Sequence, residues 1–255
     1  MLLFGAALHE GLKGRGMTPT AHSPDIAATR RKVAYHLVKN QGGRMPVTLL
    51  LAGATGAVGA HVLRLALADP RVGRVAAPTR RPLAPHPRLD NPVLDFVDLP
   101  ERAGWFAADA VICALGTTIR AAGSQAAFAA VDRELPVALA RRARAAGARA
   151  FALNSSLGAS QRGNFYQRTK AEAEDGVRAV GFERYVIVRP ALIDTVRATM
   201  RPAEAAGILL ARLAGRLLPA RYRPVPAEAI ARCLLERVLA PEAGELIVES
   251  EAIHQ

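Results

Sequence analysis

The chain has 255 residues, 51% of them hydrophobic and 5% aromatic, and a formal net charge of +12. That length and apolar content can bury one large core without disulfides or metals. No stretch reaches the ~18 consecutive apolar residues that a membrane helix needs, and the positive excess is scattered arginine with no interleaved stacking residues, which argues against a nucleic-acid surface. Residues 1–44 mix Gly, Thr, Pro and His with basic residues, with a short helical pattern from Pro24 to Lys39. They read as an appended or disordered arm, or as an over-extended reading frame whose natural start is Met45. The apolar run from Met1 to Leu8 lacks the basic leader of a secretory signal. From Val47 onward, short β-rich runs at 47–53, 73–78, 92–97, 109–115, 149–155 and 184–189 alternate with helical patterns. In the first of these patterns Val58, Val62 and Leu65 share one face. A long helix is expected over 125–146, with Pro136 predicting a kink or break. Beyond Pro190 come a helix near 203–217, a turn through Pro224 and Pro226, a helix over 227–239 and a closing strand at 245–249. The alternation predicts an α/β fold over residues 45–255: a doubly wound parallel sheet of the Rossmann type, with a small C-terminal substrate-covering region from about residue 191.

The first strand runs into Gly53-Ala54-Thr55-Gly56-Ala57-Val58-Gly59 and then into a helix. At such a junction Gly53 permits a tight turn, Gly56 lets backbone N–H groups approach a pyrophosphate, and Gly59 lets the helix pack against the strand. The helix N-terminus adds unpaired N–H groups and the positive end of its dipole. The second strand ends in Arg80-Arg81, where a protein selective for NAD usually presents an acidic residue to the ribose 2′-hydroxyl. An arginine fork can instead pair with a 2′-phosphate, so NADP(H) is favoured over NAD(H).

Tyr166 and Lys170 stand four apart at the opening of a helical pattern that continues through Glu172 and Glu174, and so share a helix face. A lysine ammonium beside a phenol favours the phenolate, as a proton-transferring tyrosine requires. The lysine can also hold a ribose. Ten residues earlier, the fifth strand ends in Asn154-Ser155-Ser156. A hydroxyl there can hydrogen-bond a carbonyl oxygen that gains negative charge; Ser156 is the choice and Ser155 its rival.

These motifs together, with Cys113-Ala114-Leu115-Gly116-Thr117-Thr118, Val131-Asp132-Arg133 and the run from Arg184 to Pro190, resemble the short-chain dehydrogenase/reductase superfamily over about Pro46 to Ile253. The branch they resemble is the atypical one of the Tat-interacting-protein oxidoreductases. The resemblance implies NADP(H) held by Thr55, Gly56, Ala57, Val58, Arg80 and Arg81, with Leu115 and Gly116 lining the end of the fourth strand and Ile193 and Arg201 also touching cofactor. It implies Tyr166 as proton donor or acceptor and Lys170 as its helper. Residues 1–44 match nothing in that pattern.

The two cysteines, Cys113 and Cys233, lie in apolar runs and read as buried hydrophobes of a reducing compartment, the cytoplasm. The six histidines lack ligand spacing, so no metal is expected. The function expected is an NADP(H)-dependent oxidoreductase acting on a small carbonyl or alcohol, as a monomer or homodimer. The competing readings are a non-catalytic NADP(H) sensor that binds a partner and a nucleotide-sugar epimerase or dehydratase; the latter usually has a larger C-terminal domain.

Overall fold

Leu49, Leu50, Leu51 and Ala52 are all fully buried, which means that both faces of the first strand are covered. Apolar runs of this kind mark the centre of a parallel sheet with helices on each side. The computed structural model describes residues 45–96, 99–194 and 219–253. In it β1 (Val47–Ala52) is followed by α1 (Ala57–Ala68), β2 (Val72–Ala76), β3 (Leu89–Asp90) and β4 (Ala110–Cys113). Next come α2 (Ile119–Ala122), α3 (Gln125–Ala129), a π-helical turn (Ala130–Glu134), α4 (Leu135–Ala145), β5 (Ala150–Asn154) and α5 (Phe165–Arg178). The described chain ends with β6 (Arg184–Arg189), β7 (Ile193–Asp194), β8 (Val225–Pro226), α6 (Ala227–Leu239) and β9 (Gly244–Glu249).

Seven strands form one parallel sheet in the order β3-β2-β1-β4-β5-β6-β9, and β7 pairs with β8 apart from it. Alternate residues of the strands divide between two cores. On one face Leu49, Leu51, Ile112, Ala152, Val186 and Val188 meet Val58 and Val62 of α1 and Ile230 and Leu234 of α6. On the other, Leu50, Val111, Cys113, Phe151 and Ile187 meet Leu139 and Ala143 of α4 and Val177 of α5. The fold is therefore the doubly wound α/β architecture of a Rossmann domain.

Two expectations are adjusted. The third strand lies at Leu89–Asp90 rather than 92–97; of the later segment, Val93 forms only an isolated bridge to Thr79, and residues 97–98 lie outside the described set. Pro92 supplies no N–H to continue a ladder, which is why pairing stops there. The long helix does run from Gln125 to Ala145, but its middle turn is π-helical. Pro136 cannot donate to the carbonyl of Asp132 and its ring would crowd that oxygen, and a wider turn relieves both problems. The arm at 1–44, the helix at 203–217 and Arg201 lie outside the described residues.

Candidate active site

Gly53 adopts φ +91° where the chain leaves β1, and a Cβ there would stand 2.6 Å from the backbone of Ala114. The first crossover therefore lies directly on the end of β4. Gly59, in the first turn of α1, would carry its Cβ to 2.0 Å from the Gly53 carbonyl oxygen, so helix and crossover meet there through backbone. Thr55, Gly56 and Ala57 are exposed. Among the described residues no side chain caps this helix, and its first turn holds no acidic residue. Its N–H groups are thus open to an anion, in contrast to α5, where Asn164 and Gln167 form a complete capping box.

That capping box places Tyr166 at the second position of α5. Its ring packs against buried Phe128 of α3, with centroids 5.4 Å apart. Lys170, one turn on, has its ammonium 5.9 Å from the Tyr166 ring centroid and 2.6 Å from Asp132 Oδ1. Asp132 is fully buried on the π-helical turn, and its Oδ2 accepts from the Thr117 N–H at 2.9 Å. Both partners of this ion pair border Gly116, whose Cβ would lie 3.6 Å from Asp132 Oδ1 and 4.0 Å from Lys170 Nζ. Leu115 and Gly116, the crossover glycines, Lys170 and Tyr166 therefore follow one another along the carboxyl edge of the sheet.

The two serines separate cleanly. Ser155 is buried and donates to Glu174 Oε1 at 2.5 Å, while Ser156 is only partly buried. Glu174 also takes Arg189 Nε at 3.0 Å and Nη2 at 2.6 Å, and Arg189 Nη1 reaches Glu249 at 2.9 Å. A buried bidentate pair of this kind is strong when fully satisfied. It ties α5, the end of β5, β6 and β9 together, and it commits Ser155 rather than Ser156 to the interior. Replacement of Ser155 by Ala should lower stability by about 1–2 kcal/mol, because a buried carboxylate oxygen loses a donor. Urea denaturation checks this, and an unchanged midpoint would mean that the serine does not hold the loop.

Sequence reasoning placed Asp132 in a motif of the resemblance and Glu174 in the helical pattern of Tyr166 and Lys170, but gave neither a role. Glu174 continues the four-residue stripe of Tyr166 and Lys170, which was a usable signal. Asp132 is buried by the π-helical turn, which no local pattern announces. Tyr185, by contrast, is unsuited to proton transfer: burial pushes its phenol above the ordinary tyrosine range, and its hydroxyl donates to the Glu174 carbonyl at 3.1 Å. Burial likewise pushes the Cys113 thiol up to about 12, so it stays protonated and inert. Arg80 and Arg81 are exposed beyond β2, and Ile193 is partly buried in β7. Among the described residues no group of three or more His, Cys, Asp or Glu could hold a metal ion, and no helix is long and apolar enough to cross a membrane.

The fold and this crevice define a nicotinamide-nucleotide-binding domain of the short-chain dehydrogenase/reductase type. A family model described as NAD(P)H-binding matches residues 53–236, and the chain belongs to that family, within its atypical short-chain dehydrogenase/reductase branch. The chain is 42% identical over 178 residues to "Protein fmp52, mitochondrial" of Aspergillus clavatus, covering 66% of this chain and 75% of that one. It is 32% identical over 216 residues to "Protein HTATIP2" of Rattus norvegicus, covering 81% and 87%. Among solved structures, the Bordetella bronchiseptica enzyme WbmG in complex with NAD superposes with a TM-score of 0.59 at 12% identity, covering 82% of this chain and 74% of that one, and so shares the fold. The cytoplasmic location expected from cysteine usage is corrected by these relatives, since the fmp52 proteins are named as mitochondrial. Two cysteines that form no disulfide do not distinguish one compartment from another.

Proposed function

We propose that the chain is an NADP(H)-dependent oxidoreductase of small carbonyl or alcohol substrates. The observation that carries this reading is the alignment, along one sheet edge, of an uncapped helix N-terminus, a crossover in which Gly53 and Gly59 leave no room for a Cβ, and the Tyr166/Lys170 pair. The crossover fits a pyrophosphate: the N–H groups at the start of α1 can bind its oxygens, and the dipole favours its charge. Exposed Arg80 and Arg81 support a 2′-phosphate at the adenosine end.

When bound, the nicotinamide supplies or accepts the hydride. Tyr166 delivers its phenolic proton to the substrate oxygen in reduction and recovers it in oxidation. Lys170, held by Asp132, presents a fixed positive charge beside the phenol and a donor to the ribose. Ser156 donates to the same substrate oxygen and steadies the charge that develops on it. Thr55, Ala57 and Val58 belong to the phosphate-binding crossover, Leu115 and Gly116 to the wall beneath the ribose, and Ile193 to the nicotinamide end. The region after residue 191 is assigned the task of covering the substrate.

NADPH consumption, followed at its absorbance band with a panel of aliphatic and aromatic aldehydes and ketones, tests the proposal. Turnover with at least one carbonyl, faster with NADPH than with NADH, is expected. Tight NADPH binding without turnover on any member would replace this reading with that of a cofactor sensor.

A further inference from the structure

We infer that Asn91 is the positioning residue that gives the Arg80–Arg81 loop its selectivity for a 2′-phosphorylated nucleotide; this rests on the NADP(H) reading above and adds a residue to it. Asn91 follows β3 at the carboxyl edge of the sheet, and its side-chain amide is saturated by the loop that carries the arginines. Its Nδ2 donates to the Ala77 carbonyl at 2.6 Å and to Thr79 Oγ1 at 2.8 Å, and its Oδ1 accepts from the Leu83 N–H at 2.8 Å. Thr79, which is buried, passes the constraint on: its hydroxyl donates to the Arg81 carbonyl at 2.7 Å.

One side chain thus fastens both ends of the turn, Thr79 on entry and Leu83 on exit, and reaches its middle through Thr79. Backbone pairs on either side hold Asn91 itself in place, with Ala77 N to Asp90 O at 2.8 Å and Thr79 N to Pro92 O at 3.0 Å. Pro82 further restricts the turn through its ring. Arg80 and Arg81 are exposed on this fixed backbone, and among the described residues neither side chain makes a hydrogen bond or ion pair.

Two unpaired guanidiniums on a loop whose backbone is already pinned meet a dianionic phosphate with only their side chains left to order. On a free loop the backbone ordering would be charged against binding as well. The benefit falls only on the nucleotide that uses the arginines. A 2′-hydroxyl does not, so Asn91 acts on the ratio of affinities rather than on nucleotide binding in general.

The test measures dissociation constants of NADPH and NADH by calorimetry for the whole chain and four variants. The wild type is expected to prefer NADPH, and Arg80→Ala combined with Arg81→Ala to erase that preference. Asn91→Ala should cut the NADPH:NADH preference by about tenfold, with NADH affinity unchanged, as the loss of loop preorganisation predicts. Thr79→Val, which removes only the hydroxyl relay, should move the ratio in the same direction, and Thr79→Ser should leave it as in the wild type. Preference retained in both Asn91→Ala and Thr79→Val, or equal loss of both nucleotides, would overturn the role of Asn91 while leaving the arginines in place. A wild type without preference would instead overturn the NADP(H) reading, and this inference with it.

Discussion

Tyr166→Phe is expected to lower carbonyl turnover by about three orders of magnitude, in the range attributed to positioned proton transfer, while NADPH affinity stays within about twofold of wild type. The variant is clean because the phenol hydroxyl makes no hydrogen bond among the described residues. The Tyr166 ring rests on Phe128, a contact that phenylalanine keeps. Lys170 is held by Asp132 rather than by the phenol, so the ammonium stays where it is when the hydroxyl goes. Removing Lys170 would be a poorer experiment: it would leave Asp132 as a buried, unpaired carboxylate, at a cost of about 3–5 kcal/mol to the fold. Single-turnover measurements with saturating NADPH would separate the proton step from binding. Turnover within tenfold of wild type would remove Tyr166 from the chemistry and with it the proposed mechanism.

The parts of this molecule that were legible in the sequence are those whose signal is local. Leu49 to Ala52 followed by three glycines reads directly as a strand, a turn and a helix, because each glycine answers a steric demand of its own neighbours. The Tyr166/Lys170 pair reads in the same way, since helical spacing alone puts the two on one face. The third strand failed for the complementary reason. Residues 92–97 carry a β-like composition, but the pairing of β2 is set by where its carboxyl end meets Leu89 and Asp90, and Pro92 cannot continue the ladder. Composition of a segment does not contain the register of its neighbour.

The charged residues of the interior were hidden for a related cause. Asp132 and Lys170 are 38 positions apart in the chain, and Ser155 lies just after β5 while Glu174, Arg189 and Glu249 come from α5, β6 and β9. Their partnerships exist only once the sheet is wound: the spacing of Lys170 from Tyr166 is legible in the chain, but its pairing with Asp132 is not. Asn91 is the same kind of residue, since a lone asparagine before a proline reads as a turn. Only the folded chain shows it closing the loop that carries two arginines.

Gly59→Ala is the substitution expected to damage the fold most. Its Cβ would be 2.0 Å from the Gly53 oxygen and 2.6 Å from the Gly53 carbonyl carbon, and both are backbone atoms of a crossover already pressed to β4 through Gly53. No side chain can swing aside, so α1 must back away from β1, opening the core around Val58 and Val62 and withdrawing its N–H groups from the phosphate position. Overpacking that moves backbone costs about 3 kcal/mol or more, which for a domain of this size corresponds to a fall of about 10 °C in Tm. Gly56→Ala is the control. Gly56 has φ −80° and ψ 170°, which any residue adopts, and its Cβ would meet the Gly53 oxygen at 3.2 Å, a contact that a few tenths of an ångström relieve. That variant should melt within a few degrees of wild type. Thermal denaturation and NADPH titration of both proteins decide the matter: a Gly59→Ala protein as stable as Gly56→Ala, still binding NADPH, would show that close backbone approach is not what the third glycine provides.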